Sequence, residues 1–228
     1  MDLEGQRVTV VGLGRSAVAA ARLLRARGAR PFVTESDDGP RFEPHRKVLD
    51  ELGVPYECGG HGDAAFDTDL IVLSPGVPPA IGPVASARAH GIRVVSELEL
   101  ASWFCTSRML AVTGTNGKTT TTELLRAMIA ATGASVGLAG NNDTPLSQAV
   151  LAEQQPAFLV VEVSSYALES ADSFRPWIGA MLNLTPDHLG RHGTLAGYAA
   201  VKARLFQNQR AGDCAILNAD DPWALEMA

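Results

Sequence analysis

The strongest constraint on this chain is a repeated alternation. Short, almost wholly apolar runs such as "RVTVVG", "LIVLS", "RMLAVTG" and "FLVVE" are each followed by a stretch with helical spacing. A strand with one wet face alternates apolar and polar side chains; a strand without that alternation is buried on both faces, as in a parallel sheet covered by helices. Arg7 to Val11 reads as the first strand, and "SAVAAARLLRARG" as a helix ended by Gly28. "RPFVTES" is a second strand, and Asp69 to Ser74 another, broken by Pro75, Gly76, Pro78 and Pro79. "VASARAHG" is a helix closing at Gly91, and "IRVVSELEL" a strand running into a helix. The alternation restarts at "RMLAVTG", with a helix over Thr119 to Thr132 whose apolar face is Leu124, Leu125, Met128 and Ile129. "AFLVVEVSS", "WIGAMLNLTPDH" and "CAILNADD" supply further strands. The expected class is α/β with mainly parallel sheet in two units, 1–104 and 105–228, joined near Ser102 to Ser107. The chain stops soon after "LNADD", and the second sheet is expected to be unfinished there.

Composition narrows the partners. A chain that is 46% hydrophobic can bury a substantial core, and 22 glycines with only 6% aromatic residues suit α/β packing. A net charge of -6 without a long Lys/Arg run argues against nucleic acid. Cys58, Cys105 and Cys214 are far apart and form no C-x-x-C pair, which predicts reduced thiols rather than disulfides or a cysteine zinc site. The N-terminus is no signal peptide, and no window reaches the ~18 apolar residues of a membrane span. The expected protein is a cytoplasmic monomer with no membrane partner.

"TGTNGKTTT", Thr113 to Thr121, lies between a strand and a helix. Such a turn aims backbone N–H groups and the positive end of a helix at one point, the arrangement that holds phosphate. Gly114, Thr115, Asn116, Gly117, Lys118, Thr119 and Thr120 form the candidate phosphate loop, with Lys118 reaching terminal phosphates and the Thr119 hydroxyl suited to Mg²⁺. Val112 stands where the strict motif has glycine, and the bland alternative is a turn with an exposed lysine. Glu162 ends an apolar strand, where a carboxylate is costly to bury unpaired. At the carboxyl edge of the sheet it would face the phosphate loop and a metal ion; otherwise it is a rim glutamate paired with a lysine.

In "TLAGYAAVKARLFQNQ" the apolar positions Leu195, Tyr198, Ala199, Leu205 and Phe206 define a stripe on which Lys202 also falls. A half-buried lysine loses proton affinity, and a neutral amine can react with CO₂ to give a carbamate. The residues alone favour a snorkelling lysine whose head reaches water. Asn183, Asp187, His188, Arg191 and His192 gather just past a strand, as for a metal or phosphate site or a polar loop. In the first unit, Gly12-x-Gly14-x-x-Ala17 with Glu35 about twenty residues on matches a Rossmann-like dinucleotide fingerprint, a turn that any nucleotide or sugar diphosphate could use. "SPG", Ser74 to Gly76, would border the same crevice. An NAD-dependent oxidoreductase would use this turn but leave "TGTNGKTT" and Glu162 without a role.

The stretches "TGTNGKTT", "GNN", "VEVSSYALE", "LNLTPDHLGRHG", "YAAVKARLF" and "LNADD" together resemble the Mur ligases, the ATP-dependent amide ligases of peptidoglycan precursor synthesis. The resemblance covers essentially the whole chain. "VVGLGRSA", "LSPGVP" and "VVSELEL" resemble the D-glutamate-adding branch; the L-alanine-adding branch and a non-catalytic nucleotide-binding relative are the alternatives. The resemblance implies a Rossmann-like first domain holding the UDP part of UDP-N-acetylmuramoyl-L-alanine through Gly12, Leu13, Gly14, Arg15, Ser16, Glu35, Ser36, Ser74, Pro75 and Gly76. A P-loop-type ATP-binding domain follows. Lys118 would hold the ATP phosphates, Thr119 and Glu162 one Mg²⁺, and His188 with a carbamylated Lys202 a second. Asn141 and His188 would flank the substrate carboxylate. That carboxylate would attack the γ-phosphate of ATP, and the amine of D-glutamate would then displace phosphate from the acyl phosphate. Ala167, Gly190 and Asn142–Asp143 depart from the family pattern, where glutamine, aspartate and Ile-Gly are usual. The family also has a C-terminal domain that receives the amino acid, so these residues by themselves are expected not to complete the ligation.

Overall fold

The computed structural model describes residues 1–142 and 144–227. The first sheet has five strands: β1 (Arg7–Val11), β2 (Arg30–Glu35), β3 (Tyr56–Cys58), β4 (Leu70–Leu73) and β5 (Arg93–Ser96). They lie in the order β3-β2-β1-β4-β5, and every pairing is parallel. The second sheet has β6 (Arg108–Thr113), β7 (Val136–Gly140), β8 (Phe158–Glu162), β9 (Ile178–Met181) and β10 (Cys214–Leu217), in the order β10-β9-β6-β8-β7, again wholly parallel. The apolar runs end as the alternation requires. β4 is buried at every position, and β8 from Leu159 through Glu162.

Helix α1 (Arg15–Ala26) packs a face of small residues, including Ala17, Ala20 and Ala21, with Leu23 and Leu24. Two strands were not legible from apolar runs. β3 is a three-residue edge with a glutamate at its centre, and β7, "VGLAG", is diluted by glycine. Helix α2 (Glu43–Leu52) buries only Leu49.

Helix α5 (Lys118–Ala131) starts one residue before the expected Thr119 and faces differently. Thr122 is its buried position, while Leu124 and Met128 stand 59% and 60% exposed. The helix turns Thr122, Leu125 and Ile129 towards the sheet, so the expected four-residue apolar face is split between two sides. Among the described residues no helix is long and apolar enough to cross a membrane.

One apolar core runs through both sheets, from Leu3 and Val10 through Leu98 and Leu100 to Val161, Phe174 and Leu205. A fully buried carboxylate reinforces that junction. Ser96 caps α4 (Glu97–Ser102) by accepting from the Glu99 N–H. Glu99, on the first turn, accepts from the backbone N–H groups of Asp172, Ser173 and Phe174 at 2.8–3.0 Å. Trp103 Nε1 donates to it as well, at 2.9 Å, and the Arg93 guanidinium lies 3.5 Å away. Replacing Glu99 with alanine strands three backbone donors, that of Phe174 buried, so the variant is expected to lose about 3–5 kcal/mol of stability. Urea unfolding checks this; an unchanged midpoint would mean the junction does not depend on Glu99.

Candidate active site

The carboxyl ends of β1, β2 and β4 meet at one turn. Gly12 has φ +100°, and a Cβ there would sit 2.9 Å from the Ser74 side chain. Only glycine permits this approach of the first turn to the loop after β4. The Leu13 N–H donates to Glu35 Oε2 at 2.9 Å, while Glu35 Oε1 accepts from the Ser36 hydroxyl and the Asp37 N–H. Gly14 leads into α1 with no side-chain cap, which leaves backbone donors at that helix end for a ligand. The Ser74 hydroxyl is buried with no hydrogen-bond partner among the described residues.

A cavity of about 640 Å³ opens from this turn. Gly12, Leu13, Gly14, Arg15, Ser16, Glu35, Ser36, Ser74, Pro75 and Gly76, the whole set expected for the first unit, line one side. The other side belongs to the second sheet and includes Gly140, Asn141, Asn142, Pro145, Glu162, Ser164 and Ala167. Asp143, paired with Asn142 in the sequence reading, lies outside the described residues.

At the far end of the cavity, Glu162 is 4% exposed with both oxygens engaged. The Thr119 hydroxyl donates to Oε2 at 2.8 Å and Asn141 Nδ2 to Oε1 at 3.1 Å. Among the described residues no lysine pairs with it, so the rim ion pair is not what forms there. Gly140 holds β7 against it, at φ +110°, where a Cβ would lie 2.2 Å from the Glu162 carbonyl oxygen. Asn183, after β9, fixes the phosphate loop: its carbonyl accepts from Thr115 N and its Oδ1 from Asn116 N, each at 2.9 Å. Gly117 caps α5 at φ +82°, and Lys118 Nζ donates to the Thr115 carbonyl at 2.8 Å. Thr122 explains part of the threonine run, since its buried hydroxyl bonds back to the Thr119 carbonyl at 3.0 Å. The Thr119 hydroxyl and the Glu162 carboxylate are two hard oxygens at a helix start. That donor set fits Mg²⁺, which takes one or two protein ligands beside phosphate.

Lys202, on α9 (Leu195–Ala203), is 1% exposed. The snorkelling reading fails: Nζ points inward, donating to the Gly114 carbonyl at 2.9 Å and Thr113 Oγ1 at 3.2 Å, and lies 4.7 Å from the Tyr198 ring centre. Burial, with Lys118 nearby adding to it, lowers its pKa from 10.5 to about 7, against a weaker opposing pull from Asp187. His188 has φ +52°, and its ring is 4.9 Å from Tyr166 and 6.3 Å from Tyr198. Among the described residues no hydrogen bond joins His188 to Lys202, and no group of three or more His, Cys, Asp or Glu is set to hold a metal.

The cluster read as one site after β9 divides in two. Asn183 serves the phosphate loop, whereas Arg191 and His192 turn to Glu169. The Arg191 guanidinium reaches the Glu169 carboxylate at 2.6–3.1 Å and donates to the Val77 carbonyl of the first unit at 2.8 Å. His192 lies between the Ser165 hydroxyl, 3.0 Å from Nε2, and Glu169, 3.4 Å from Nδ1, and burial lowers its pKa. Glu169 was missed as a partner because nothing in its local sequence marks it as one.

Comparison with known proteins follows the same division. Residues 6–96 match the family model of the Mur ligase MurD-like N-terminal domain, and residues 112–228 match the Mur ligase middle domain. The chain is 44% identical over 229 residues to the UDP-N-acetylmuramoylalanine--D-glutamate ligase of Koribacter versatilis, covering 100% of this chain and 51% of the relative. It is 44% identical over 225 residues to the enzyme of that name from Chlorobaculum parvum, covering 96% and 48%. The chain thus spans about half the length of the relatives it matches. The crystal structure of UDP-N-acetylmuramate:L-alanyl-gamma-D-glutamyl-meso-diaminopimelate ligase from Neisseria meningitides aligns with a TM-score of 0.63 at 19% identity, over 98% of this chain and 74% of that one. For UDP-N-acetylmuramate-alanine ligase from Thermotoga maritima the TM-score is 0.56 at 19% identity, over 98% and 51%. These structures share the α/β fold; the sequence matches carry the family, and the chain belongs to the Mur ligases.

Proposed function

We propose that this chain forms the substrate-binding and ATP-binding portions of an ATP-dependent carbon–nitrogen ligase that adds D-glutamate to UDP-N-acetylmuramoyl-L-alanine, with 1–104 serving the UDP compound and 105–228 serving ATP. The observation that carries this reading is the single cavity with a glycine-rich nucleotide-type turn at one end and Asn141 with Glu162, itself bonded to Thr119, at the other. A long ligand anchored at the Gly12 to Ser16 turn would bring its opposite end to the phosphate loop.

In this reading the Gly12 to Ser16 backbone and the Ser74 to Gly76 loop bind the diphosphate. Lys118 leaves the Thr115 carbonyl for the ATP phosphates. Asn141 and His188 orient the substrate carboxylate, one of whose oxygens attacks the γ-phosphorus as the bond to ADP breaks. The amine of D-glutamate then attacks the acyl carbon and phosphate leaves, with loss of a proton from nitrogen. Thr119 and Glu162 would hold one Mg²⁺, and His188 with a Lys202 carbamate a second; bound there, the metal would offset the negative charge of the two reacting anions.

Calorimetric titration of the chain with UDP-N-acetylmuramoyl-L-alanine, UDP-N-acetylmuramate and NAD tests the first half. The alanyl compound is expected to bind tightest, and preference for NAD would overturn the reading. A Lys118→Ala variant is expected to lose Mg-nucleotide affinity by tenfold or more while keeping the UDP compound.

Carbamate formation at Lys202 needs a neutral amine, and that is measurable. Between about pH 7 and 10.5 the unfolded chain keeps a proton that folded Lys202 has released. Stability from this group is therefore complete above that window and lost as pH falls through it. In bicarbonate-free buffer, wild type is expected to gain about 3 kcal/mol on Lys202→Met between pH 7 and 9.5. Parallel urea midpoints for the two proteins across that range would show an unperturbed lysine instead. With ¹³C-bicarbonate at neutral pH, a carbamate resonance should appear in wild type and be missing from the variant.

A further inference from the structure

Three glutamates lie at the junction of the sheets, and two have every oxygen occupied. Glu99 takes three backbone N–H groups, a serine hydroxyl and an indole. Glu162 takes Thr119 and Asn141, one on each oxygen. Glu97 is different. It is 6% exposed, and its Oε1 accepts a 2.6 Å bond from the Ser147 N–H of α6 (Leu146–Ala149). Among the described residues no hydrogen bond reaches Oε2. Glu97 lines the central cavity, beside Leu98, Pro145 and Ala167 and between its two ends.

A carboxyl so largely buried on the wall of a cavity, with one hydrogen bond among the described residues, calls for an explanation. The chemistry proposed above makes no use of Glu97. Burial raises its pKa, and the Ser147 N–H, then the nearby Ser147 hydroxyl, oppose that only in part. The Ser147 hydroxyl is itself buried without a hydrogen bond of normal geometry. No cation is among the groups that act on Glu97, so nothing there opposes the push of burial towards the neutral acid except Ser147. In its neutral form the carboxyl is an O–H donor on the wall of a cavity with apolar neighbours. Phosphates belong at the glycine turn and the phosphate loop. The fitting partner between them is a neutral acceptor, and an amide carbonyl is the strongest of these in a peptidyl sugar.

We infer that Glu97 is a specificity residue that donates a hydrogen bond to an amide carbonyl in the middle of the ligand. This rests on the reading of the cavity as the site of UDP-N-acetylmuramoyl-L-alanine. Glu97 takes no part in bond making; it distinguishes an amide-bearing ligand from the bare nucleotide.

The test is calorimetric titration of wild type, Glu97→Gln and Glu97→Met with UDP-N-acetylmuramoyl-L-alanine and with UDP. Glutamine keeps an oxygen for the Ser147 N–H and offers an N–H in place of the acid O–H, so its affinity for the alanyl compound should stay within about threefold of wild type. Methionine has similar reach but no donor, and should bind the alanyl compound about tenfold to a hundredfold more weakly. UDP should bind all three alike. Equal losses for both ligands would reduce Glu97 to a strut between α4 and α6. No loss in the methionine variant, or a glutamine variant as weak as methionine, would remove the donor role. Should Glu97→Met not fold, Glu97→Gln decides: retained affinity supports the donor, and selective loss of the alanyl compound overturns it. Failure of wild type to bind the alanyl compound overturns the cavity reading and this inference together, whereas binding with the wrong variant pattern overturns the inference alone.

Discussion

The site depends on a carboxylate that water cannot reach. Glu99 belongs to a helix of the first sheet, and its acceptors are filled by the backbone of 172–174 in the second. A side-chain carboxylate in that position is costly unless every lone pair is used, and here the segment that satisfies it comes from the other half of the molecule. Turning one sheet against the other would expose both a desolvated anion and three backbone donors. The shared apolar core resists separation without direction; the Glu99 bonds add direction. The Arg191 fork, closing on Glu169 and on the Val77 carbonyl, is a second tie of the same kind next to the ligand loops.

With the angle held, two parallel sheets turn their carboxyl edges towards one cavity. In an open parallel sheet ligands collect at that edge, where helices begin and backbone donors are free. A single such edge holds one nucleotide-sized group. Two facing edges suit a ligand with phosphate at one end and a second phosphate-bearing substrate at the other. The glycines at the edge do distinct work: Gly12 lets a turn touch the Ser74 loop, and Gly140 lets β7 touch the backbone of Glu162.

Much of this was legible in the sequence, for identifiable reasons. Apolar runs such as "LIVL" and "FLVVE" named central strands because burial on both faces leaves no polar residue to confuse the pattern. Edge strands β3 and β7 escaped because half-burial and glycine erase it. The turn from Gly114 to Gly117 was visible as a strand–glycine–lysine–helix junction, and β6 and α5 flank it. Periodicity put Lys202 on the buried stripe but could not tell whether its head reached water, since that depends on the Gly114 carbonyl, 88 positions away. For the same reason Arg191 and His192 were grouped with Asn183: adjacency in sequence suggested one site, while their partners Glu169 and Val77 come from elsewhere in the fold.

Two amines crowd the loop between β6 and α5 that is proposed to hold phosphate. Lys118 and Lys202 both donate to carbonyls of that loop, at Thr115 and Gly114, and the charge of Lys118 adds to the burial that lowers the proton affinity of Lys202. Among the described residues neither forms an ion pair with a carboxylate. Lys202 meets the cost by shedding its proton near neutrality; Lys118, half-buried at the helix start, keeps contact with solvent. On the proposed reading, a polyphosphate would lie against Lys118, and carbamylation would turn the Lys202 amine into an anion able to hold metal. Each event would, on that reading, relieve the crowding of positive charge and burial that lowers the proton affinity of Lys202.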